Sequence, residues 1–320
     1  MPEAYTHLRC AQGAVRLSHL RPEDPIAFGA GSNGPDMLFC YRCWRSAGKR
    51  GQDLPALGGR MHREKTGAFL LSLLRHAQTP AQRSYVLGFL CHYGTDTIVH
   101  PYVAVVSGPG GTYDRPGGHG YFEIALDSFL HEQDTGDRAV PARDCCPRLV
   151  GAALAQVALL LHPCLLEVYG EDVTLEALAD AFHHTWYMRR MFVSRLKIKR
   201  GFFWLVEPQF GGRGRITGHM TPARLEGLRE SDPVPLPAVW QHAVTGETVQ
   251  GDIFELLERA EANSAACMQV GADFWQGRIP LEEAAARLGS LSYESGVEDA
   301  ASRGEEPAPD GEQKELLYAE

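Results

Sequence analysis

Residues 90–102 read LCHYGTDTIVHPY. This stretch sets three potential metal ligands four residues apart: His92, Asp96 and His100. A four-residue step turns an α-helix by about 400°, so side chains at this spacing lie on nearly one face. Apolar residues at helical spacing accompany them and predict a helix over residues 81–99. Pro101 disfavours the helical conformation of the residue before it, which predicts His100 at the helix end or at a kink.

A second pair of the same kind follows a glycine-rich loop. His119 and Glu123 stand four residues apart in GGHGYFEIALDSF, where His119 is predicted to begin the next helix. One His-x-x-x-Asp pair alone is more often a hydrogen-bonded core pair than a ligand pair, because the chain has 13 histidines. Two such pairs in one short span favour a metal site, since helix, loop and helix then deliver five candidate ligands.

Three further candidates come earlier in the chain. His7 follows Thr6, a potential N-cap for a helix that begins there. Asp36 follows PIAFGAGSNGP at residues 25–35, which we predict to be a loop, and His62 is predicted to open a helix. An aspartate after Gly-Pro is by default an N-cap, but a loop that ends in a carboxylate also brings a ligand to a metal.

Zinc suits this set of ligands. The candidates, all imidazoles and carboxylates, are His7, Asp36, His62, His92, Asp96, His100, His119 and Glu123. Such ligands without thiolates are typical of zinc in a catalytic rather than a structural role. Eight ligands are too many for one zinc and suit a cluster of about two or three ions.

The eight cysteines show no regular framework. Cys40-x-x-Cys43 resembles half of a zinc–thiolate motif, but no second Cys-x-x-Cys accompanies it. We therefore expect mostly buried thiols in a reducing compartment.

The composition excludes some classes of function. The chain has 320 residues and a formal net charge of −9, so it has no electrostatic footprint for duplex nucleic acid. No basic start followed by an apolar run marks a signal peptide, and the longest apolar run, residues 149–161, is too short to span a bilayer. These features predict a cytoplasmic protein with no transmembrane segment.

The chain is expected to hold one helical domain over residues 1–290 and a disordered acidic tail over residues 291–320. The tail is rich in Ala, Gly, Pro and Glu and poor in large apolar residues. Before it, Phe202 to Trp204 in GFFWLV could form an apolar lip, but core packing is the expected role. The basic residues between Arg189 and Arg200 are expected to form a solvated face rather than a phosphate site.

Helical patterns dominate and period-two alternation is scarce, which predicts an all-α, multi-helix bundle with the site between facing helices. The candidates and their neighbours resemble the zinc-dependent phospholipase C family of all-helical, trimetal phosphodiesterases, whose cluster the fungal single-strand nucleases share. The resemblance covers roughly residues 1–200 and rests on these fragments in order: YTH at 5–7, GPD at 34–36, His62, HYGTD at 92–96, His100 and HGYFE at 119–123.

The resemblance also implies how the ligands divide among the ions. A first zinc would be held by Asp36, His62, His92 and Asp96. A second would be held by His100, His119 and Glu123. A third would be held by His7, with Asp96 bridging from the first. Secreted members add the processed amino terminus to the third site, whereas this sequence begins Met1-Pro2.

The implied activity is zinc-dependent hydrolysis of phosphodiester bonds, phospholipase C-like, on a phosphoester substrate that includes phospholipid as a candidate. Zinc lowers the pKa of a bound water from 15.7 to roughly 7, so metal-activated water would attack phosphorus. Asp36 is the candidate catalytic residue that orients or deprotonates that water. Two alternatives stay open: a nuclease-like phosphodiesterase and a non-catalytic, metal-binding helical protein.

Overall fold

The computed structural model describes residues 4–210, 212–229 and 231–299, and within them the predicted all-α architecture is confirmed. The helices are α1 Ala4–Ser18, α2 Pro25–Gly31, α3 Leu54–Arg63, α4 Thr66–His76, α5 Pro80–Ser107, α6 Gly118–Thr135, α7 Ala142–Cys145, α8 Gly151–Tyr169, α9 Leu175–Phe192, α10 Ile198–Val206, α11 Ile253–Trp275 and α12 Leu281–Leu288. Short 3₁₀ segments are Gly34–Leu38, Ala47–Lys49, Glu207–Phe210 and Thr217–His219. The strands β1 Val239–Gln241 and β2 Thr248–Gln250 form one antiparallel hairpin.

Helix α5 is the centre of the fold. Its start is defined by a capping box, in which Thr79 Oγ1 accepts from the Gln82 N–H at 3.2 Å while the Gln82 side chain accepts from the Thr79 N–H at 3.2 Å. Of its 28 residues, 22 are buried, which is the pattern of a helix that other helices enclose on all sides. Its main neighbours are α1, α2, α6, α8 and α11.

Of the two predicted positions of His100, the helix end is wrong, and a kink at Pro101 stays a prediction. The helix runs through Pro101 to Ser107, so His100 lies inside it rather than at its end. A proline inside a helix removes one hydrogen bond and crowds the carbonyl of the residue four positions earlier, here Thr97. Pro101 and Thr97 are both buried, and the backbone of Gly296 packs against them, so tertiary packing outweighs the local preference.

Two glycines allow α2 to lie directly against α5. A Cβ added to Gly31 would come within 2.0 Å of the Tyr85 carbonyl oxygen, and one added to Gly88 within 2.1 Å of the Phe28 carbonyl oxygen. The two helix backbones therefore approach more closely than any side chain would permit. This contact brings the 3₁₀ segment after α2 onto α5.

The apolar core has two main clusters, and α5 contributes to both. Its first half, including Tyr85 and Phe89, packs in the cluster formed with α3, α4, α8 and α9. Its second half, including Tyr102 and Val106, packs in the cluster formed with α6, α11 and the hairpin. The polar side chains from His92 to His100 lie between these two halves along the helix.

Helix α8 is strongly apolar along its whole length. Within the described part of the chain, it is the one helix whose length and composition would suit a membrane span. Its face containing Leu154, Val157, Leu161 and Leu165 is buried in the first core cluster. Other apolar residues of α8 are exposed, among them Leu159 at 56% and Leu166 at 47%, so burial accounts for only part of its apolar composition.

The predicted start of the tail at residue 291 is wrong for residues 291–299, which we call the C-terminal strap. Tyr293 is 1% exposed and donates its N–H to the His62 carbonyl at 2.8 Å. Asp299 is also buried and accepts from the Thr66 N–H at 3.0 Å. Buried hydrogen bonds and an aromatic anchor hold this segment despite its acidic composition. The prediction of disorder for residues 300–320 lies outside the described residues.

The expected core role of the GFFWLV segment is also wrong. Phe202 is 61% exposed and Trp204 48%, and no residue of α10 is buried. Polar side chains hold α10, since Lys199 Nζ and the Arg200 guanidinium donate to backbone carbonyls outside the helix, and the apolar face points away from the body.

Candidate metal centre

All eight candidate ligands converge, and they come from five separate elements of the first half of the chain. Their ligand atoms form three groups, each with every atom within 4.8 Å of the others: His7, Asp36 and His92; His62, His92 and Asp96; His100, His119 and Glu123. The first two groups share His92 and so form one five-residue cluster. The third group contains the same residues that the resemblance implies for a second zinc. The assignment of individual ions to these residues stays a prediction.

Asp36 and His62 reach the site from elements that differ from the prediction. Residues 25–31 form α2 rather than a loop, because Asp24 caps the N–H groups of the first turn and Pro25 suits the first helical position. Asp36 then lies in the 3₁₀ segment Gly34–Leu38. His62 lies in the last turn of α3, rather than opening a helix, because that helix begins eight residues earlier at Leu54.

Gly34 lets the segment that carries Asp36 lie on the His92 ring. A Cβ added to Gly34 would come within 2.2 Å of His92 Cδ2, and the residue adopts a φ of +50°. Both the contact and the left-handed conformation favour glycine. The GPD fragment is therefore needed for its glycine as well as for its carboxylate.

The spacing on α5 explains why its three ligands serve two groups. A step of four residues rotates the side chain by about 40° beyond a full turn, and a step of eight by about 80°. His92 and Asp96 therefore stay together, with His92 Nε2 at 3.2 Å from Asp96 Oδ2. His100 is displaced by about 12 Å along the axis from His92 and joins α6 instead.

In the five-residue cluster, each carboxylate faces a histidine. His7 Nε2 lies 3.3 Å from Asp96 Oδ1. The rings of His7 and His92 are in contact and tilted relative to each other, with centroids 4.3 Å apart. His62 Nε2 lies 3.0 Å from Asp36 Oδ1. Asp96 thus links a ligand on α1 with one on α5, which is the bridging position that the resemblance implies for it.

The α6 group is held by the same four-residue spacing. His119 Nε2 lies 3.2 Å from Glu123 Oε1, and His100 Nε2 lies 3.9 Å from the same oxygen. His119 begins α6 as predicted, one residue inside its start at Gly118. Its side chain is 19% exposed, more than those of the other candidate ligands, so the site opens to solvent on the α6 side.

Hydrogen bonds from Nδ1 decide which nitrogen faces the site. His62 Nδ1 donates to the Gly58 carbonyl at 2.7 Å, and His100 Nδ1 donates to the Glu294 carbonyl at 3.0 Å. His119 Nδ1 lies 3.2 Å from Ser107 Oγ, whose own proton is donated to the Val103 carbonyl at 2.6 Å. A carbonyl can only accept, so in each ring Nδ1 carries the proton and Nε2 is left as the ligand atom.

With Nδ1 protonated, the Nε2 lone pairs of these rings point at the lone pairs of carboxylate oxygens. In a neutral His62 with Nδ1 protonated, the Nε2 lone pair faces a carboxylate oxygen 3.0 Å away. The same holds for His119 and Glu123 at 3.2 Å. Such contacts are repulsive unless a cation lies between the two atoms or the ring takes a second proton. Burial lowers the pKa of His100, and the neighbouring His119 lowers it further. A second proton on His100 is therefore disfavoured.

In the central cluster, Asp96 and His7 each shift the pKa of the other. Burial raises the pKa of Asp96, but the imidazoles of His92 and His7 outweigh it and bring that pKa well below its ordinary value. Burial lowers the pKa of His7, but the Asp96 carboxylate outweighs it, so that pKa is raised. The carboxylate is therefore ionised at neutral pH and attracts positive charge, whether proton or metal.

The site residues fit a bound cation. Among the described residues, Asp36 Oδ2 and both ring nitrogens of His92 are buried and find no well-aligned hydrogen-bond partner. Each such group ordinarily costs about 1–3 kcal/mol, so several together indicate a missing ligand. A cavity of about 20 Å³ lined by His7, Asp96 and His100 has room for about one water or ion.

Asp127 is a supporting residue that the sequence interpretation missed. It is buried one turn beyond Glu123 and accepts from the Tyr5 N–H at 2.9 Å, the Thr6 N–H at 2.8 Å and Thr6 Oγ1 at 2.6 Å. In the described part of α1, which starts at Ala4, the N–H groups of Tyr5 and Thr6 are capped by a carboxylate from α6, and Thr6 is not the cap. Asp127 positions His7. Its i+4 spacing from Glu123 was a signal that could have revealed it.

The C-terminal strap supplies the other missed contacts. The ring of Tyr293 lies edge-on to His62 and to His92, with centroids 5.3 Å and 5.4 Å away. The Glu294 carbonyl fixes His100 as described above, and Ser292 Oγ donates to the His62 carbonyl at 3.1 Å. No local sequence signal links this segment to residues two hundred positions earlier.

The cysteines do not contribute to the site. All eight are free thiols, and all but Cys43 are buried. Burial raises the pKa of the Cys40 thiol, with Cys43 adding to the effect. The Cys40–Cys43 pair therefore has the character of structural thiols.

Comparison with known proteins identifies a family. Residues 6–160 match the family described as zinc dependent phospholipase C. The stretch contains all eight candidate ligands, and the resemblance inferred from the sequence is confirmed. Searches of curated proteins and of solved structures each returned no match.

Proposed function

We propose that this chain, whose residues 6–160 match the zinc dependent phospholipase C family, hydrolyses phosphodiester bonds with a cluster of zinc ions. The observation that carries the proposal is the set of imidazole Nε2 atoms aimed at carboxylates with Nδ1 already committed. Only a cation at those atoms makes the arrangement favourable for uncharged rings.

The eight residues that would hold zinc divide as the geometry groups them. The five-residue cluster around His92 offers enough ligands for two ions, and the α6 group offers three ligands for another. When bound, zinc supplies a Lewis acid that activates water and offsets negative charge on the phosphoryl oxygens. The side chain of His119 is more exposed than that of His100, so solvent reaches the α6 group from the His119 side. The α6 group would therefore keep the open ligand position.

Asp36 is proposed as the catalytic residue. Its Oδ1 faces His62, and its Oδ2 is buried without a partner among the described residues. A fixed carboxylate with a free oxygen can orient an attacking water and accept its proton. Because His62 Nδ1 is committed to Gly58, a cation between His62 Nε2 and Asp36 Oδ1 would hold that carboxylate in one orientation.

A basic cleft supports an anionic substrate. It has a volume of about 710 Å³ and is lined on one side by Gly117 and Tyr121, at the start of α6. The opposite side carries Lys197 and Arg213, and none of the eight candidate ligands is among the lining residues. In a chain of net charge −9, this local excess of positive charge would attract a phosphoester to the cleft.

A nuclease-like phosphodiesterase is the second candidate. The cleft contains Trp204, with the Arg213 guanidinium 3.7 Å from its ring centroid. Aromatic rings beside basic groups are the stacking platforms that single-stranded nucleic acids use. A non-catalytic metal-binding role is the third candidate.

We also propose a reducing, cytoplasmic setting. The eight free cysteines support it, because a secreted protein with paired thiols would form disulfides. Survival of full activity and metal content in excess reductant would agree with this setting. Loss of either in reductant would contradict it.

The experiment compares three substrates with zinc-loaded protein: bis-p-nitrophenyl phosphate, short-chain phosphatidylcholine and single-stranded DNA. We expect hydrolysis of the first two and a loss of at least about a hundredfold in Asp36→Asn. Asp180→Asn is the matched control, since Asp180 lies outside the centre and pairs with Arg42. Faster cleavage of DNA than of lipid would favour the nuclease. Absence of turnover on all three substrates in a fully metallated protein would leave the non-catalytic role.

A further inference from the structure

Helix α10 and the turn before it form an exposed apolar surface that the proposed hydrolysis does not use. Its members, which we call the α10 surface, are Leu196 at 81% exposure, Ile198 at 72%, Phe202 at 61% and Leu205 at 69%. Ile198, Phe202 and Leu205 follow at i, i+4 and i+7, so they lie on one side of the helix. Exposed apolar side chains scattered singly are ordinary, but a helical face made of them marks an interaction site.

The fold holds α10 by its backbone and by polar contacts at both ends. At its start, the Ser194 N–H donates to the Thr221 carbonyl at 2.7 Å, and Lys199 Nζ donates to the Val193 carbonyl at 3.0 Å. At its end, buried Glu207 accepts from the N–H groups of Gly214 at 2.9 Å and Thr217 at 3.0 Å. The apolar face is therefore presented outward and is not needed for packing among the described residues.

Positive charge surrounds this face. Arg195, Lys197 and Lys199 are exposed at the start of α10, and Arg200 follows in its first turn. Of the nearby carboxylates, Asp137 is paired with Arg195 at 2.6 Å and Glu207 is buried under backbone N–H groups. The surface is locally cationic, although the chain as a whole has a net charge of −9.

We propose that the α10 surface docks on an anionic lipid bilayer. A short helix with apolar residues on one side and Lys and Arg beside them has the composition of an interfacial helix. The exposed Lys197 can reach the headgroups while the apolar residues enter the acyl boundary. A bilayer fits better than a protein groove, because the apolar side chains protrude and the charge beside them is mainly positive.

Docking in this way would also orient the cleft described above. Trp204 and Arg200 of α10 line it together with Gly117 and Tyr121 at the start of α6. The cleft mouth would then face the headgroup layer. The docking proposal stands on the surface itself and does not depend on hydrolysis.

The test measures co-sedimentation of the full chain with vesicles of phosphatidylcholine, with and without phosphatidylserine. We expect binding to the phosphatidylserine vesicles, weaker binding in high salt and little binding to phosphatidylcholine alone. The triple variant Leu196→Ser, Phe202→Ser, Leu205→Ser should lower the partition coefficient at least about tenfold. Lys197→Gln should lower it about fivefold, since that charge lies at the surface.

A matched triple variant removes exposed apolar side chains elsewhere: Leu17→Ser, Leu159→Ser and Val239→Ser, whose residues are 55%, 56% and 60% exposed. It should bind vesicles as the wild type does. Thermal unfolding of both triple variants checks that they fold.

Three outcomes would overturn the proposal: no binding of wild type to either vesicle, equal binding by wild type and the α10 variant, or a concentration-dependent dimer that the α10 variant abolishes. The last would assign the surface to a second copy of the chain. Hydrolysis of soluble bis-p-nitrophenyl phosphate should be unchanged in the α10 triple variant, so failure to dock and failure to hydrolyse are separate results.

Discussion

His92 and Asp96 are one helical turn apart on α5, and His92 Nε2 lies 3.2 Å from Asp96 Oδ2. The other oxygen of Asp96 lies 3.3 Å from His7 on α1. The Asp96 carboxylate thus contacts histidines of two helices at the centre of the candidate cluster.

Asp96→Asn is expected to lose at least one metal ion per chain. An amide is neutral and offers one oxygen, so it cannot link the histidines of α1 and α5 as a carboxylate does. Elemental analysis of protein purified without chelator should find about two or three zinc ions in the wild type. Asp180→Asn, remote from the cluster, should keep the wild-type content. Fewer than about one ion in the wild type after zinc is supplied would reject the cluster.

Removing the metal is expected to destabilise the fold. The buried ligands would be left facing one another, and a metal that binds only the folded state stabilises it by mass action. We expect chelation to lower Tm by on the order of 10 °C, with recovery when zinc is returned and none with magnesium. An unchanged Tm in protein that elemental analysis shows to be metal-free would contradict this.

Asp127→Ala is expected to loosen the start of α1 and displace His7. It would leave the N–H groups of Tyr5 and Thr6 without their acceptor, at a cost of about 1–3 kcal/mol of unfolding free energy for each buried group. Zinc content should also fall. Asp134→Ala, on the same helix and 34% exposed, should cost about 0–1 kcal/mol and keep the metal. Denaturant unfolding with metal analysis checks both, and equal effects would reject the positioning role.

Tyr293→Ala is expected to weaken both the fold and the metal cluster. The ring lies edge-on to His62 and His92, and its removal leaves a cavity that costs about 3–5 kcal/mol. Tyr187→Ala, at a residue 54% exposed, should change stability by less than about 0.5 kcal/mol. Zinc affinity by competition with a chelating dye should fall only in the first variant. A wild-type affinity there would show that the strap does not support the site.

The local part of this site could be predicted because helix geometry depends on near neighbours. The pairs His92–Asp96 and His119–Glu123 each share a helical face, as their four-residue spacing indicates. The prediction of a helix end at Pro101 failed where burial overrode local preference. The prediction that Phe202 packs in the core failed because no described element covers it. An apolar side chain does not by itself reveal whether another element will cover it.

The candidate ligands, their order, the helical spacing that pairs them and the all-α class can be read from the amino-acid sequence. Which candidates share a cluster, which imidazole nitrogen faces it and which apolar face stays exposed depend on the packing of the whole chain. The difference lies in the sequence separation of the contacts. A helical hydrogen bond joins residues four apart, whereas Thr6 meets Asp127 across 121 positions and His100 meets Glu294 across 194, so those contacts depend on how the whole chain packs.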